Sequence, residues 1–332
     1  MSKIQESKKL VRELYRELDQ GDVDAFAAKL SALTDPDYQW RGFHPFDELT
    51  GASAVVKKFY QPLCRAFSSM TRRQDVFFAG QNMFAGDEVW VCSMGHLMGL
   101  FDQPLLSIQP TRRIAMLRYC EFNLISNGKI IQTAMYFDLP HLMAQAGQYP
   151  FPQQSGAQLV QPGPATHDGL LFDPQPTEEG EKTLEVINQM VGDLGQWQSG
   201  IPLEEELART WHHDMLWWGP TGIGATYTIP RYAQQHSGIF RKVFANRSKT
   251  KHVCRMAEGN YGGFFGWPNF TADHVGGFMG MPAFDKPVEF RVIDIYRRAD
   301  NKLAENWIFI DLLHMFKQAG IDVLARHGEM NA

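Results

Sequence analysis

No stretch of 18 consecutive apolar residues occurs in this chain, which leaves no candidate for a membrane-spanning helix. A secretory leader is not expected either. The first residues, MSKIQESKKLVREL, are polar and pass directly into an amphipathic pattern without an apolar core segment. The expectation is a cytoplasmic protein with no membrane partner. Cysteine is scarce: Cys64, Cys92, Cys120 and Cys254 lie far apart, and no CxxC spacing occurs. That excludes a thiolate zinc site and a disulfide scaffold, and the four read as buried thiols. Clustered basic charge is also lacking. The 32 Lys and Arg are spread among 37 Asp and Glu for a net charge of -5, so there is no footprint for a phosphate backbone, and nucleic acid is not expected as a partner.

What the chain has is apolar bulk. Hydrophobic residues make up 44%, with 23 Phe, 15 Met and 8 Trp, enough for two cores and for an apolar cavity besides. At 332 residues, two domains are the default. A repeat supports this division. YFDLPHLMAQAG at 136–147 and FIDLLHMFKQAG at 309–320 are identical at six of twelve positions, offset by 173. The same offset sets Asn127-Gly128-Lys129 on Asp300-Asn301-Lys302 and Arg118 on Arg291, while an offset of 177 sets Asp37, Trp40, Gly42 and Phe67 on Asp214, Trp217, Gly219 and Phe244. A period this long is a whole duplicated domain. Between the copies, residues 148–179 carry six prolines and no sustained periodicity, and form a connector whose Phe151, Leu170, Leu171 and Phe172 lie against the domains. The division expected is 1–147, a linker at 148–179, and 180–332.

Each copy begins with helical periodicity and ends in strands. Leu10, Val11, Leu14, Tyr15 and Leu18 recur at helical spacing, Gly21-Asp22 interrupts, and Phe26, Ala27 and Leu30 resume. A third helix over roughly 52–68 follows a short apolar stretch, and then the period becomes strand-like, with Ser-Asn-Gly at 126–128 as a hairpin signal. Helices first and an antiparallel meander second give an α+β class: helices on one face of a curved sheet that encloses a pocket.

That order, closed by Glu305-Asn306-Trp307, Asp311 and Gln318-Ala319-Gly320, resembles the SnoaL-like polyketide cyclases of the nuclear-transport-factor-two-like superfamily. The first copy is similar through His44-Pro45, Leu49-Thr50-Gly51 and Phe59-Tyr60-Gln61-Pro62-Leu63, and Pro162-Gly163-Pro164 resembles the linker of tandem members. The resemblance implies two cone-shaped α+β barrels. It also implies an aspartate at the end of the last strand acting as general acid/base in an intramolecular aldol closure, with no metal or organic cofactor. By position that aspartate is Asp311, and in the first copy Asp138.

Strand parity sets Glu305, Trp307 and Phe309 on one face with Asp311, and Gln132, Ala134 and Tyr136 on one face with Asp138. If those faces are concave, burial raises the carboxyl pKa into a range useful for proton transfer. The same aspartates precede short helical runs ending at Gly147 and Gly320, where an Asp N-cap and a Gly just past the C-terminus are expected on structural grounds alone. His141 and His314, three residues on, either share a proton with them or cover a helix start. Candidate ligand contacts are His44 at the pocket mouth, Trp217, Trp307, His274, Tyr136, Gln132 and Glu305, with Arg118 and Arg291 for an acidic group. Limonene epoxide hydrolase, similar in fold, sets an Arg and an Asp two apart on a strand. Arg291 and Asp294 here are three apart and take opposite faces, which disfavours an epoxide-hydrolase-like enzyme.

The functional expectation is cyclase or isomerase chemistry on an enolisable apolar or aromatic carbonyl compound, centred on the second copy, which has the fuller Glu-x-Trp pattern. The alternative is a non-catalytic small-molecule-binding module. The two copies are expected to pair as a pseudo-dimer within one chain, with further homo-oligomerisation open.

Overall fold

The computed structural model describes residues 2–196, 200–284 and 286–330. Two compact units emerge. One comprises residues 1–150, 165–174 and 321–332, the other 151–164 and 175–320. The connector is therefore divided between the units, and the last residues join the first unit, so the boundaries differ from a simple 1–147 and 180–332 split. Apolar anchors account for this. Phe151 packs on Phe316 at 5.0 Å in the second unit, whereas Phe172 packs on Phe77 at 5.4 Å and Leu171 donates its N–H to the Phe77 carbonyl in the first.

The first unit runs α1 (Lys3–Asp19), α2 (Val23–Leu33), β1 (Thr34–Gly42), β2 (Asp47–Thr50), α3 (Ala52–Val55), a π-helical turn (Val56–Tyr60), α4 (Gln61–Ala66), β3 (Phe67–Asn82), β4 (Ala85–Phe101), β5 (Ile114–Ser126), β6 (Lys129–Phe137) and α5 (Leu139–Gln145). Ser2 caps α1 by accepting from the Gln5 N–H, and Asp22 caps α2. The buried stripe of α1, Val11, Leu14, Tyr15 and Leu18, faces the sheet, where Val11 and Tyr15 join Phe77, Ala79, Val91 and Ile125 in one cluster.

The second unit repeats the plan: α6 (Thr177–Leu194), α7 (Leu203–Ala208), β7 (Trp211–Trp218), β8 (Ala225–Tyr227), α8 (Ile229–Tyr232), a π-helical turn (Ala233–Ser237), α9 (Gly238–Val243), β9 (Phe244–Ala245), β10 (Cys254–Glu258), β11 (Tyr261–His274), β12 (Pro287–Ala299), β13 (Lys302–Ile310) and α10 (Leu312–Gln318). A last helix, α11 (Val323–Met330), belongs to the first unit. Among the described residues no helix is long and apolar enough to cross a membrane.

Both units are α+β. Their sheets follow the orders β2-β1-β6-β5-β4-β3 and β10-β11-β12-β13-β7-β8. The meanders are antiparallel as expected, but each sheet also holds one parallel pair, β1 with β6 and β7 with β13, and each stays open at its edges and does not close into a barrel. The registers superimpose under the offsets seen in the sequence. Thr133 pairs with Trp40 and Asn306 with Trp217; Glu121 pairs with Met135 and Asp294 with Ile308. A shared packing device explains the repeated Trp-x-Gly. The Trp40 ring folds over Gly42 and the Trp217 ring over Gly219, where a Cβ would lie 2.1 Å and 2.0 Å from the indole.

Candidate active site

A hollow with a cavity volume of about 120 Å³ opens within the second unit. Its sheet wall is built by alternate residues: Phe290, Val292, Asp294 and Tyr296 from β12, and Asn306, Ile308 and Ile310 from β13. Trp217, Tyr232, His236, Phe240, Phe264 and Phe270 complete an aromatic enclosure. The π-helical turn positions His236, whose ring stacks on Trp217 at 4.2 Å and 20°. Burial drives the His236 pKa down to about 3, so the ring is neutral at ordinary pH.

Asp294 is the carboxyl group of the sheet wall. It lies mid-strand and is buried, and Asn306 Nδ2 donates to its Oδ1 at 3.1 Å while Tyr296, two residues on and therefore on the same face, adds a second hydrogen bond. Desolvation outweighs both bonds and pushes the carboxyl up to about 7. A group with that pKa can give or take a proton near neutrality. The other charges around the hollow are compensated or desolvated. Glu206 accepts from both terminal nitrogens of Arg241, at 2.7 and 2.9 Å, and burial beside Arg241 lowers Arg247 to about 10. Among the described residues no three His, Cys, Asp or Glu side chains stand together so as to hold a metal ion.

The expected aspartates stand elsewhere. Asp311 caps α10, accepting from the His314 N–H at 3.1 Å, and lies 3.5 Å from Arg291, whose guanidinium covers the Trp267 ring at 3.9 Å. Asp138 caps α5 in the same way, accepting from the His141 N–H at 3.0 Å. Both are buried, but Asp311 does not line the hollow. The reason is parity. The hollow takes the even-numbered residues of β13, so Glu305, Trp307, Phe309 and Asp311 take the opposite face. Glu305 pairs with Arg297 at 2.8 Å, and Trp307 Nε1 donates to the Pro162 carbonyl at 3.0 Å.

Of the expected contact residues, Trp217 alone lines the hollow. His274 is buried against Phe244 at 5.0 Å, and His314 lies 3.9 Å from Glu289. In the first unit, His44 lies 3.7 Å from Asp47, Tyr136 stacks on Phe43 at 4.2 Å, and Gln132 accepts from Arg41 at 3.1 Å. His141 approaches Gln145 at 3.4 Å, and Arg118 is buried, its pKa brought down to about 10 by desolvation against the pull of Asp138.

The corresponding space in the first unit is occupied by its own side chains. Glu121 stands where the second unit has Asp294, and accepts from Arg72 Nη1 at 3.0 Å and Asn123 Nδ2 at 3.1 Å. The Arg72 guanidinium lies over the Tyr15 and Tyr119 rings at 3.8 and 4.4 Å. Phe59 stands in place of His236, stacked on Phe137 at 5.1 Å.

Comparison with known proteins adds to this geometry. An open mixed sheet with its helices around an aromatic hollow defines a class, the α+β pocket proteins. Within that class, residues 268–319 match the family described as SnoaL-like polyketide cyclase. The matched segment carries Asp294, Asn306 and Asp311, and bears out the resemblance read from the sequence of the second copy. Three solved structures resemble parts of the chain. One is a candidate SnoaL-like polyketide cyclase from Jannaschia sp. CCS1, 19% identical over 43% of this chain and 94% of that one, with a TM-score of 0.33. Another is a candidate polyketide cyclase from Xanthomonas campestris pv. campestris, 18% identical over 44% and 99%, TM-score 0.35. The third is an NTF2-like protein from Burkholderia thailandensis E264, 19% identical over 44% and 99%, TM-score 0.32. No curated protein matches the chain.

Proposed function

We propose that the second unit catalyses proton transfer next to the carbonyl of an apolar, ring-bearing compound, as in a cyclase or isomerase, with Asp294 as the proton carrier. The observation that carries this reading is a carboxyl group with a pKa raised to about 7 in an aromatic hollow, accepting from a neutral amide donor. The ionised Asp294 takes a proton from the carbon α to the carbonyl. The electron pair of that C–H bond becomes the enolate. The enolate carbon then either attacks a second carbonyl of the same molecule, closing a ring, or takes the proton back at another carbon, moving a double bond. In the first case Asp294 returns its proton to the new alkoxide, so the carboxylate is restored in both. The match of residues 268–319 to SnoaL-like polyketide cyclases supports ring closure as the outcome.

A panel of ring-bearing diketones tests this, with binding followed by Trp fluorescence and products by mass spectrometry. Conversion by the native chain that is lost in Asp294→Asn while binding persists supports the reading. Binding without conversion by the native chain makes the hollow a carrier site instead.

A further inference from the structure

His252 contributes to the same hollow, and its surroundings settle a question of chemistry that the sequence leaves open. Arg255 donates to His252 Nδ1 from two nitrogens, Nε at 3.1 Å and Nη2 at 2.9 Å. A guanidinium has hydrogens to give and no lone pair to receive one, so Nδ1 must be the accepting nitrogen. In a neutral imidazole the single proton then sits on Nε2. The arrangement is held on both sides. Arg255 Nη1 is fixed by Asn188 Oδ1 of α6 at 2.6 Å, and the His252 ring lies flat on Phe264 at 3.9 Å and 15°. Desolvation first, then the positive charges of Arg255 and Arg247, bring its pKa down to about 2, so the ring stays neutral at any working pH.

Phe264 also relates this ring to the acid. It is the cross-strand partner of Asp294 in the β11–β12 ladder, and directly opposed residues have Cβ atoms about 5 Å apart. The imidazole stacked on Phe264 and the Asp294 carboxyl therefore border one and the same part of the hollow. The first unit has no counterpart. Glu121 pairs with Ser93 and Ser93 with Phe77 there, as Asp294 pairs with Phe264 and Phe264 with Arg255, which sets Phe77 at the place of Arg255 and Gln74 at that of His252.

Resting on the reaction proposed above, we propose that Arg255 locks His252 as the Nε2–H tautomer, giving the hollow a fixed neutral hydrogen-bond donor for the ligand's carbonyl oxygen as it becomes an enolate. His252 is the group that touches the substrate, and Arg255 is its positioning residue. A neutral donor suits this task because it stabilises developing negative charge without protonating it outright, and because its orientation is set before the reaction begins.

Two measurements on the full chain test this. The first is the long-range ¹H–¹⁵N spectrum of the histidine rings, with His252 assigned by its loss in His252→Gln. An unprotonated Nδ1 and a protonated Nε2 across the neutral range are expected. A protonated Nδ1, or an imidazolium, overturns the proposal whatever the enzyme does. The second uses the Asp294→Asn background, which mimics the carboxyl after it has taken the proton, and compares 4-nitrophenolate with nitrobenzene, which lacks the oxyanion. His252→Phe is expected to weaken phenolate binding about tenfold, as for loss of a hydrogen bond to a charged oxygen, and to leave nitrobenzene binding unchanged. Arg255→Met should weaken phenolate binding by a smaller factor, and His252→Gln, which keeps a neutral N–H donor, should restore part of it. Equal losses for both probes mean that His252 only packs, and overturn the donor role. Failure of the Asp294→Asn chain with native His252 to bind either probe overturns the occupancy of the hollow by aromatic compounds, and with it the reaction proposed above. Binding of both probes by a chain whose native form converts no ketone leaves the donor standing and removes the reaction.

Discussion

Asp294 and Asp311 are carboxyl groups on one strand pair with different partners, an amide and a phenol for the first, a helix N–H and Arg291 for the second. Asp294 lacks a cation among its closest partners and is raised by desolvation, so its folded-state pKa lies above its unfolded one. The folded chain therefore holds a proton that the unfolded chain has lost between about pH 4 and 7, and stability falls as pH rises across that window. Asp294→Asn removes the penalty. It is expected to raise the melting temperature at pH 8, by an effect of at most a few kcal/mol, with the difference closing toward pH 4. Thermal melts at the two pH values check this, and turnover should vanish in the same variant. Turnover of the native chain should rise with pH through about 7, because the ionised carboxyl is the one that removes the proton. Asp311 behaves as a cap. Asp311→Asn should leave stability and turnover close to native, whereas Asp311→Ala should cost about 0.5–2 kcal/mol in chemical denaturation. Loss of turnover in Asp311→Asn at full stability would return the catalytic role to the strand end.

At the level of elements, the order of helices and strands, the hairpins and the duplication were legible because each has a local signature. Asn127-Gly128 marks the β5–β6 turn with both residues at positive φ, and the repeated Trp-x-Gly marks an indole folded over a glycine. Which face of β13 lines the hollow was not legible. Glu305, Trp307 and Phe309 look as much like a pocket wall as Asn306, Ile308 and Ile310 do, and period-2 alternation names two faces without saying which is concave. Asp294 was hidden for the same reason. Beside Arg291 it reads as half of an ion pair, and the spacing that sets the two on opposite faces does not say which of them meets the hollow. His236 and His252 carried no signal, since one depends on a π-helical turn and the other on a contact with Arg255. The Trp217–Gly219 device gives a prediction of its own. Gly219→Ala brings a methyl group to 2.0 Å from the indole, and a Gly224 carbonyl at 2.6 Å blocks retreat, so Trp217 must turn and release His236. Weaker binding of the aromatic probes and a changed Trp fluorescence are expected, along with a lower melting temperature.

The whole chain carries one scaffold twice and fills it in two ways. Where the second unit leaves a hollow beside Asp294, the first packs Arg72 against Glu121 between two tyrosine rings, and Thr133 donates to Asn123 Oδ1 at 2.6 Å to complete the network. Both side chains are buried and stand 3.0 Å apart, so each has the other as its compensating partner. A carboxylate committed to an ion pair in this way leaves the proposed proton transfer to the second unit. Arg72→Met is expected to destabilise the chain by about 3–5 kcal/mol because it strands a buried carboxylate, whereas the paired change Arg72→Met with Glu121→Leu should recover most of that loss. Chemical denaturation of the native chain, the two single variants and the double variant measures the coupling. The double variant, once folded, should turn over substrate like the native chain. If it is folded but inactive, the first unit takes part in the reaction and the division of labour drawn from the two fillings is wrong.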